Sequence, residues 1–73
     1  MVIKNQQVPI PTVILRRRTV EARTGLSRST IYLRMSQGNF PKSIPLGPRA
    51  IGWLEAEIEA WLQAQVASVR ADE

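Results

Sequence analysis

Thr19-Val-Glu-Ala-Arg-Thr-Gly-Leu-Ser-Arg-Ser-Thr-Ile-Tyr-Leu-Arg-Met-Ser-Gln37 is the stretch that decides the fold of this chain. Gly25 predicts the end of one helix, because glycine adopts the left-handed conformation that follows many helices at little cost. Ser27 predicts the start of the next, since its hydroxyl can accept a hydrogen bond from a free N–H of the first turn. The stretch therefore predicts a helix-turn-helix, with helices over residues 18–24 and 28–37.

The apolar residues of this stretch form only a small seam. Val20, Leu26 and Ile31 are expected to turn inward between the two helices, and Met35 shares a helix face with Ile31. So few apolar side chains cannot hold two helices together in water. The rest of the chain must therefore supply the remainder of the core.

Length and composition restrict the class of protein. The 73 residues allow one domain with a thin core, and they include no cysteine and no histidine. The absence of cysteine excludes disulfides and thiolate chemistry. The absence of histidine excludes the commonest general base and the commonest zinc ligand. No apolar run approaches the ~20 residues that span a bilayer, and the start lacks the pattern of a signal peptide. We expect a cytoplasmic, nucleoid-associated protein that is not an enzyme and has no cofactor, metal, membrane or small-molecule substrate.

Positive charge is concentrated around the helix-turn-helix. Residues 1–54 hold nine Lys/Arg and one acid, for a net charge of +8, whereas residues 55–73 hold one Arg and five acids, for −4. This distribution is typical of nucleic-acid-binding proteins; the alternative is a solvated basic face without a partner. Arg16, Arg17 and Arg18 precede the first helix, where phosphate could use both the cations and the free N–H groups. A solubilising cluster is the alternative for this triplet.

The outer side of the second helix is predicted to enter a groove of double-stranded DNA. Arginine can bridge two acceptors of guanine, while hydroxyl groups can bond bases or phosphates. The candidates on this helix are Ser27, Arg28, Ser29, Thr30, Tyr32 and Arg34. Half-buried packing is an equal alternative for Tyr32, and which of Leu33 and Arg34 faces DNA stays open.

A hairpin is predicted after the second helix, beyond a loop in which Phe40 anchors to the core. Its strands cover residues 43–46 and 49–53, joined by Gly47-Pro48 in a type II′ turn. The expected pairs are Leu46 with Arg49 and Ile44 with Ile51, with Ile44, Ile51 and Trp53 on one face.

This hairpin is interpreted as a wing, with a plain connecting loop as the alternative. Pro45 requires its strand to lie at a sheet edge, because proline cannot donate to the ladder. Arg49 near the tip and Lys42 at the foot are candidates for phosphate contacts.

The last element is predicted from helical periodicity. The apolar positions that recur at this spacing are Leu54, Ile58, Trp61, Leu62, Val66 and Val69. We expect this amphipathic helix to bury the apolar sides of the other elements, with Trp61 in the core. Its acidic start favours a position that faces away from DNA.

The ordered series of motifs resembles the AlpA family of small phage and prophage transcriptional regulators, which are related more distantly to MerR-like and excisionase-like winged-helix proteins. The motifs lie in residues 20–32, 38–42, 46–47 and 52–61. The resemblance covers about residues 13–64. It implies a winged helix-turn-helix that binds double-stranded DNA and controls transcription, typically of prophage integration or excision genes. By position, it implies a recognition helix at Ser27–Gln37 and a wing at Lys42–Trp53.

The predicted fold is mainly α with a small β-hairpin: two short helices, a two-stranded wing and a C-terminal amphipathic helix. Residues 1–12 are expected to form a flexible or extended arm, 13–69 the DNA-binding domain and 70–73 a frayed tail. Expected partners are DNA, a second copy as a homodimer or on repeated half-sites, and an integrase or the transcription machinery. An excisionase-type architectural factor and a protein-interaction module acting as an anti-repressor are the alternatives.

Overall fold

A computed structural model describes residues 12–71, so most of the predicted N-terminal arm and the last two residues lie outside the described part. The elements in chain order are β1 (Ile14–Leu15), α1 (Arg17–Thr24), α2 (Arg28–Ser36), β2 (Ile44–Gly47), β3 (Ala50–Leu54) and α3 (Glu55–Arg70). The fold is mainly α with a small antiparallel sheet, which confirms the predicted winged helix-turn-helix. Across residues 12–71, no helix combines the length and the apolarity needed to cross a bilayer.

The turn between α1 and α2 follows the predicted chemistry. Gly25 has φ +76°, and its N–H donates to the carbonyl oxygen of Glu21 at 2.8 Å. The hydroxyl oxygen of Ser27 accepts from the N–H of Thr30 at 3.3 Å, as an N-cap does. These local contacts end one helix and begin the next within three residues, and they confirm the helix-turn-helix.

The sheet has three strands in the order β1-β3-β2, all antiparallel. Strand β1 was not predicted and joins the two strands of the predicted hairpin. Its residue Ile14 pairs with Leu54, and Leu15 pairs with Trp53. Two residues are too few to show an alternating pattern, which is why the sequence does not reveal this strand. Pro45 lies in β2, an edge strand, as its missing N–H requires.

The predicted register of the hairpin was wrong by about one residue. Instead of the expected pairs, the structure has Ile44 with Gly52, Pro45 with Ile51 and Gly47 with Ala50, with an irregularity between Pro45 and Gly47. The turn residues are consequently Pro48-Arg49 rather than Gly47-Pro48. Because side chains alternate along a strand, the shift also removes Ile44 from the face that Ile51 and Trp53 share.

The close packing around Gly52 gives the physical reason for this register. A Cβ built at Gly52 would lie 2.5 Å from Cγ2 of Ile14 and 3.0 Å from Cδ1 of Leu46. Side chains from β1 and β2 therefore occupy the space over the middle of β3, and a residue without a side chain must lie beneath them.

The core draws residues from every described helix and strand except β2. Its buried residues are Leu15, Val20, Ile31, Phe40, Trp53 and Ile58, and the partly buried residues packed against them are Leu26, Met35, Ile51, Trp61 and Leu62. Trp53 is completely buried, whereas Trp61, predicted as a core residue, lies at the margin with its indole N–H donating to the carbonyl oxygen of Asn39. Part of the predicted buried stripe of α3 is wrong, because Val66 and Val69 are 47% and 64% exposed.

The length of α3 explains its exposed end. Its 16 residues span ~24 Å, whereas the 8-residue α1 spans ~12 Å. The elements that pack beneath α3 are shorter than α3, so they cover only the first half of its apolar stripe.

Candidate nucleic-acid interface

A basic cleft lies between the start of α1, one edge of α2 and the turn of the hairpin. It has a volume of about 410 Å³ and is open to solvent. Of the described residues, those that line it are Arg16, Arg17, Arg18, Arg28, Tyr32, Arg49 and Ile51. The structure thus brings together six of the predicted site residues, from three separate parts of the chain.

The three arginines before and within α1 differ in how they are held. Arg16 donates from its Nε to the carbonyl oxygen of Ile51 at 3.0 Å, which ties the start of α1 to β3. Arg17 pairs with Glu21 one turn along the helix, while Arg18 is exposed. The N-cap side chain makes no capping bond in α1, so the first-turn N–H groups reinforce the attraction of the cleft for an anion.

Arg28 and Tyr32 form the edge of α2 that faces the cleft. The guanidinium carbon of Arg28 lies 5.8 Å from the ring centroid of Tyr32, at a distance typical of a cation–π contact. Tyr32 is 37% exposed. Its ring is thus partly covered and partly accessible.

Two predicted site residues act in the cap of α2. Besides accepting from the N–H of Thr30, the hydroxyl of Ser27 donates to Thr30 Oγ1 at 3.0 Å. Ser29 is exposed, and its hydroxyl lies 3.3 Å from that of Ser27. None of these three residues lines the basic cleft.

The side chains of Leu33 and Arg34 lie on different sides of α2. Leu33 is 56% exposed. The guanidinium carbon of Arg34 lies 5.9 Å from the ring centroid of Trp61, and this arginine lines a second depression with Asn39 and Phe40. Arg34 therefore leans back toward α3, and Leu33 occupies the outer side of α2.

The other cations of residues 12–71 do not line the cleft. Lys42 is exposed before β2, at the foot of the hairpin. Arg23 forms ion pairs with Glu55 and Glu59 and so connects the end of α1 to the start of α3. The sequence did not single out this pairing, because only the tertiary fold brings the residues together.

Comparison with known proteins places the chain among phage and prophage proteins. Residues 13–66 match the family described as prophage CP4-57 regulatory protein (AlpA). The chain is 42% identical over 55 residues to the DNA-binding transcriptional activator AlpA of Escherichia coli (strain K12), an alignment that covers 67% of this chain and 79% of that protein.

A second relative comes from a phage. The chain is 44% identical over 43 residues to the uncharacterized protein ORF88 of Enterobacteria phage P4, which covers 59% of this chain. The alignment spans about half, 49%, of the length of that relative. The family match covers the whole helix-turn-helix, the hairpin and the start of α3. This chain belongs to the AlpA family of prophage regulatory proteins.

Proposed function

We propose that this protein is a sequence-specific double-stranded DNA-binding transcriptional regulator. The observation that carries the proposal is the basic cleft, in which five arginines and a tyrosine converge from α1, α2 and the hairpin turn. Such a cluster of cations attracts the phosphate backbone, and the helix beside it can read base edges. The E. coli relative, which is named as a DNA-binding transcriptional activator, supports the same function.

In the proposed complex, α2 lies in the major groove. Its cleft edge presents Arg28 and Tyr32, while Ser29 adds a hydroxyl group on the outer side. The phosphate contacts come from the residues around α2, namely Arg16, Arg17, Arg18, Lys42 and Arg49. Base contacts from α2 then select the sequence, and the surrounding phosphate contacts set the orientation of the protein on the duplex.

Genes for prophage integration or excision are the proposed targets. The family description as a prophage regulatory protein supports this choice. A reporter fused to such a promoter should change expression when the protein is supplied. Circular-permutation gel shifts and an in vitro excision assay would instead reveal bending and cooperation with an integrase if the protein acts as an excisionase.

Selection of bound duplexes from a random pool is the experiment that tests the DNA-binding function. We expect enrichment of one short motif, whose repetition and spacing would also report whether two copies pair on half-sites. Recovery of no DNA even at low salt would contradict the proposal and favour a protein-interaction module.

A pair of variants with equal net charge makes the test specific to the cleft. Arg28→Ala with Arg49→Ala removes two cations from the cleft, whereas Arg23→Ala with Arg70→Ala removes two from elsewhere. The cleft variant should lose most of its affinity for the selected DNA, and the other should lose little. Similar losses for both would indicate attraction by net charge alone.

A further inference from the structure

Leu33 is an apolar residue at an unexpected place on α2. Its side chain is 56% exposed, on the side of the helix opposite the buried Ile31. Isolated exposed leucines are common on protein surfaces. Leu33 differs from such residues because it lies on the helix that borders the basic cleft and directly follows Tyr32, which lines it.

The neighbours of Leu33 make it the most prominent side chain of this outer face. Ser29 and Ser36 lie one turn before and after it, at helix-neighbour spacing. The hydroxyl of Ser36 donates to the carbonyl oxygen of Leu33 at 2.7 Å, and the hydroxyl of Ser29 lies 3.3 Å from that of Ser27. Both short side chains thus have partners within or beside their own helix, and Leu33 extends beyond them.

The direction of Leu33 also suits a contact with bases. Helical side chains tilt toward the N-terminus of their helix, so Leu33 leans toward the half of α2 that carries Arg28. Recognition helices of helix-turn-helix proteins contact base edges mainly through their N-terminal residues. The adjacent Arg34 does not compete for this position, because its guanidinium lies over Trp61.

We infer that Leu33 is a specificity-determining residue that reads thymine through its 5-methyl group. This inference rests on the proposed DNA-binding function. An aliphatic side chain can neither donate nor accept a hydrogen bond, and the thymine methyl is the apolar group that bases present in the major groove. A purine beneath Leu33 would place hydrogen-bonding atoms against hydrocarbon, and a cytosine would lack the methyl contact, each at a cost in affinity.

Uracil substitution isolates this contact. In the DNA selected by the wild-type protein, each thymine is replaced in turn by deoxyuridine, which lacks only the methyl group. At one position in each bound site, we expect wild-type affinity to fall by about three- to fivefold, the effect of uncovering one methyl-sized apolar group. Leu33→Ala should bind the unmodified DNA more weakly and should not distinguish thymine from uracil at that position.

Val66→Ala provides the matched control, because Val66 is another exposed apolar residue but lies on α3. It should retain the wild-type pattern of uracil sensitivity. Equal thermal midpoints for the three proteins would show that the variants remain folded.

The outcomes distinguish this inference from the function on which it rests. If the wild type binds no DNA, both fail. If it selects a motif but Leu33→Ala keeps the wild-type uracil sensitivity at every thymine, or the motif has no thymine sensitive to loss of its methyl, the DNA-binding function stands and the role of Leu33 is overturned.

Discussion

The cleft arginines differ in their freedom to move. Arg16 is bonded to the backbone of β3 and Arg28 stacks on Tyr32, so both guanidinium groups are positioned before any ligand arrives. Positioning a long side chain in advance reduces the conformational entropy that binding would otherwise remove. Arg49 belongs to the hairpin turn, and it is exposed. We therefore expect different contributions from residues that share one charge.

Arg28→Ala and Arg49→Ala should affect DNA binding differently. Loss of Arg28 should weaken binding to the selected motif by ~1–3 kcal/mol and binding to random DNA by less, because a base contact is lost. Loss of Arg49 should weaken both alike, since a phosphate contact carries no sequence information. Titrations of both DNAs with each variant measure this difference.

Salt titration supplies the control for this pair of variants. The slope of log K against log salt should become shallower by ~0.9 for Arg49→Ala, as expected for the loss of one phosphate contact. Arg23→Ala should leave the slope unchanged, because Arg23 pairs with Glu55 and Glu59. Equal losses for Arg28→Ala and Arg49→Ala on both DNAs would refute the division between base and phosphate contacts.

Within α2, each side of the helix has a different environment. Ile31 is buried in the core, Thr30 completes the cap, and Arg34 lies against Trp61. The remaining sides are the cleft edge with Tyr32 and the outer face with Leu33. The nine residues of α2 thus contribute both to the core and to two accessible surfaces. Substitutions at neighbouring positions should therefore differ in whether they change stability or DNA binding.

The sheet depends on a residue without a side chain at the centre of β3. Gly52→Ala would place a Cβ 2.5 Å from Cγ2 of Ile14 and 3.0 Å from the carbonyl oxygen of Leu15. The backbone of β1 would have to shift, and we expect a loss of ~1–3 kcal/mol in the free energy of unfolding. Chemical denaturation of the two proteins measures this loss.

Gly47→Ala is the matched control in the same hairpin. A Cβ at Gly47 would meet no other atom within 4 Å among the described residues. We expect its free energy of unfolding to stay within ~0.5 kcal/mol of the wild type. A loss as large as that of Gly52→Ala would show that the stability of the hairpin depends on the backbone flexibility of its glycines rather than on the packing of β1 and β2 against β3.

In the whole molecule, the first half of α3 packs against the core and the second half is exposed. Ile58 is completely buried, whereas Val66 is 47% exposed. Ile58→Val removes a single methylene group but leaves a void in the core, so it should cost ~0.5–1.5 kcal/mol. Val66→Ala removes more atoms yet should cost less than ~0.5 kcal/mol. Thermal unfolding of both variants checks this order, and the reverse order would show that the second half of α3 is covered in solution.

Two of the ion pairs among the described residues connect the basic part of the chain to the acidic α3. Glu55 and Glu59, at the start of α3, neutralise Arg23 at the end of α1. The five arginines of the cleft lie at the start of α1, on α2 and in the hairpin turn. Exposed pairs of this kind contribute little to stability. Their main consequence is that the charge of Arg23 is neutralised, whereas within residues 12–71 most of the positive charge of the cleft is not.

The sequence by itself determined the features that depend on neighbours along the chain. Gly25 and Ser27 end and begin helices through contacts within four residues, and the periodic apolar positions predicted α3. The positive charge around α1 and α2 was equally visible, because composition needs no fold. These signals, together with the ordered motifs, were sufficient to predict a winged helix-turn-helix of the AlpA family.

Only the tertiary structure decided what depends on distant parts of the chain. The hairpin register follows from the packing of Ile14 and Leu46 over Gly52, and the position of Arg34 over Trp61 requires α2 and α3 to meet. Convergence of the arginines on one cleft likewise requires α1, α2 and the hairpin turn to meet. Such contacts join residues far apart in sequence, so no local propensity encodes them, and they form only when the core closes.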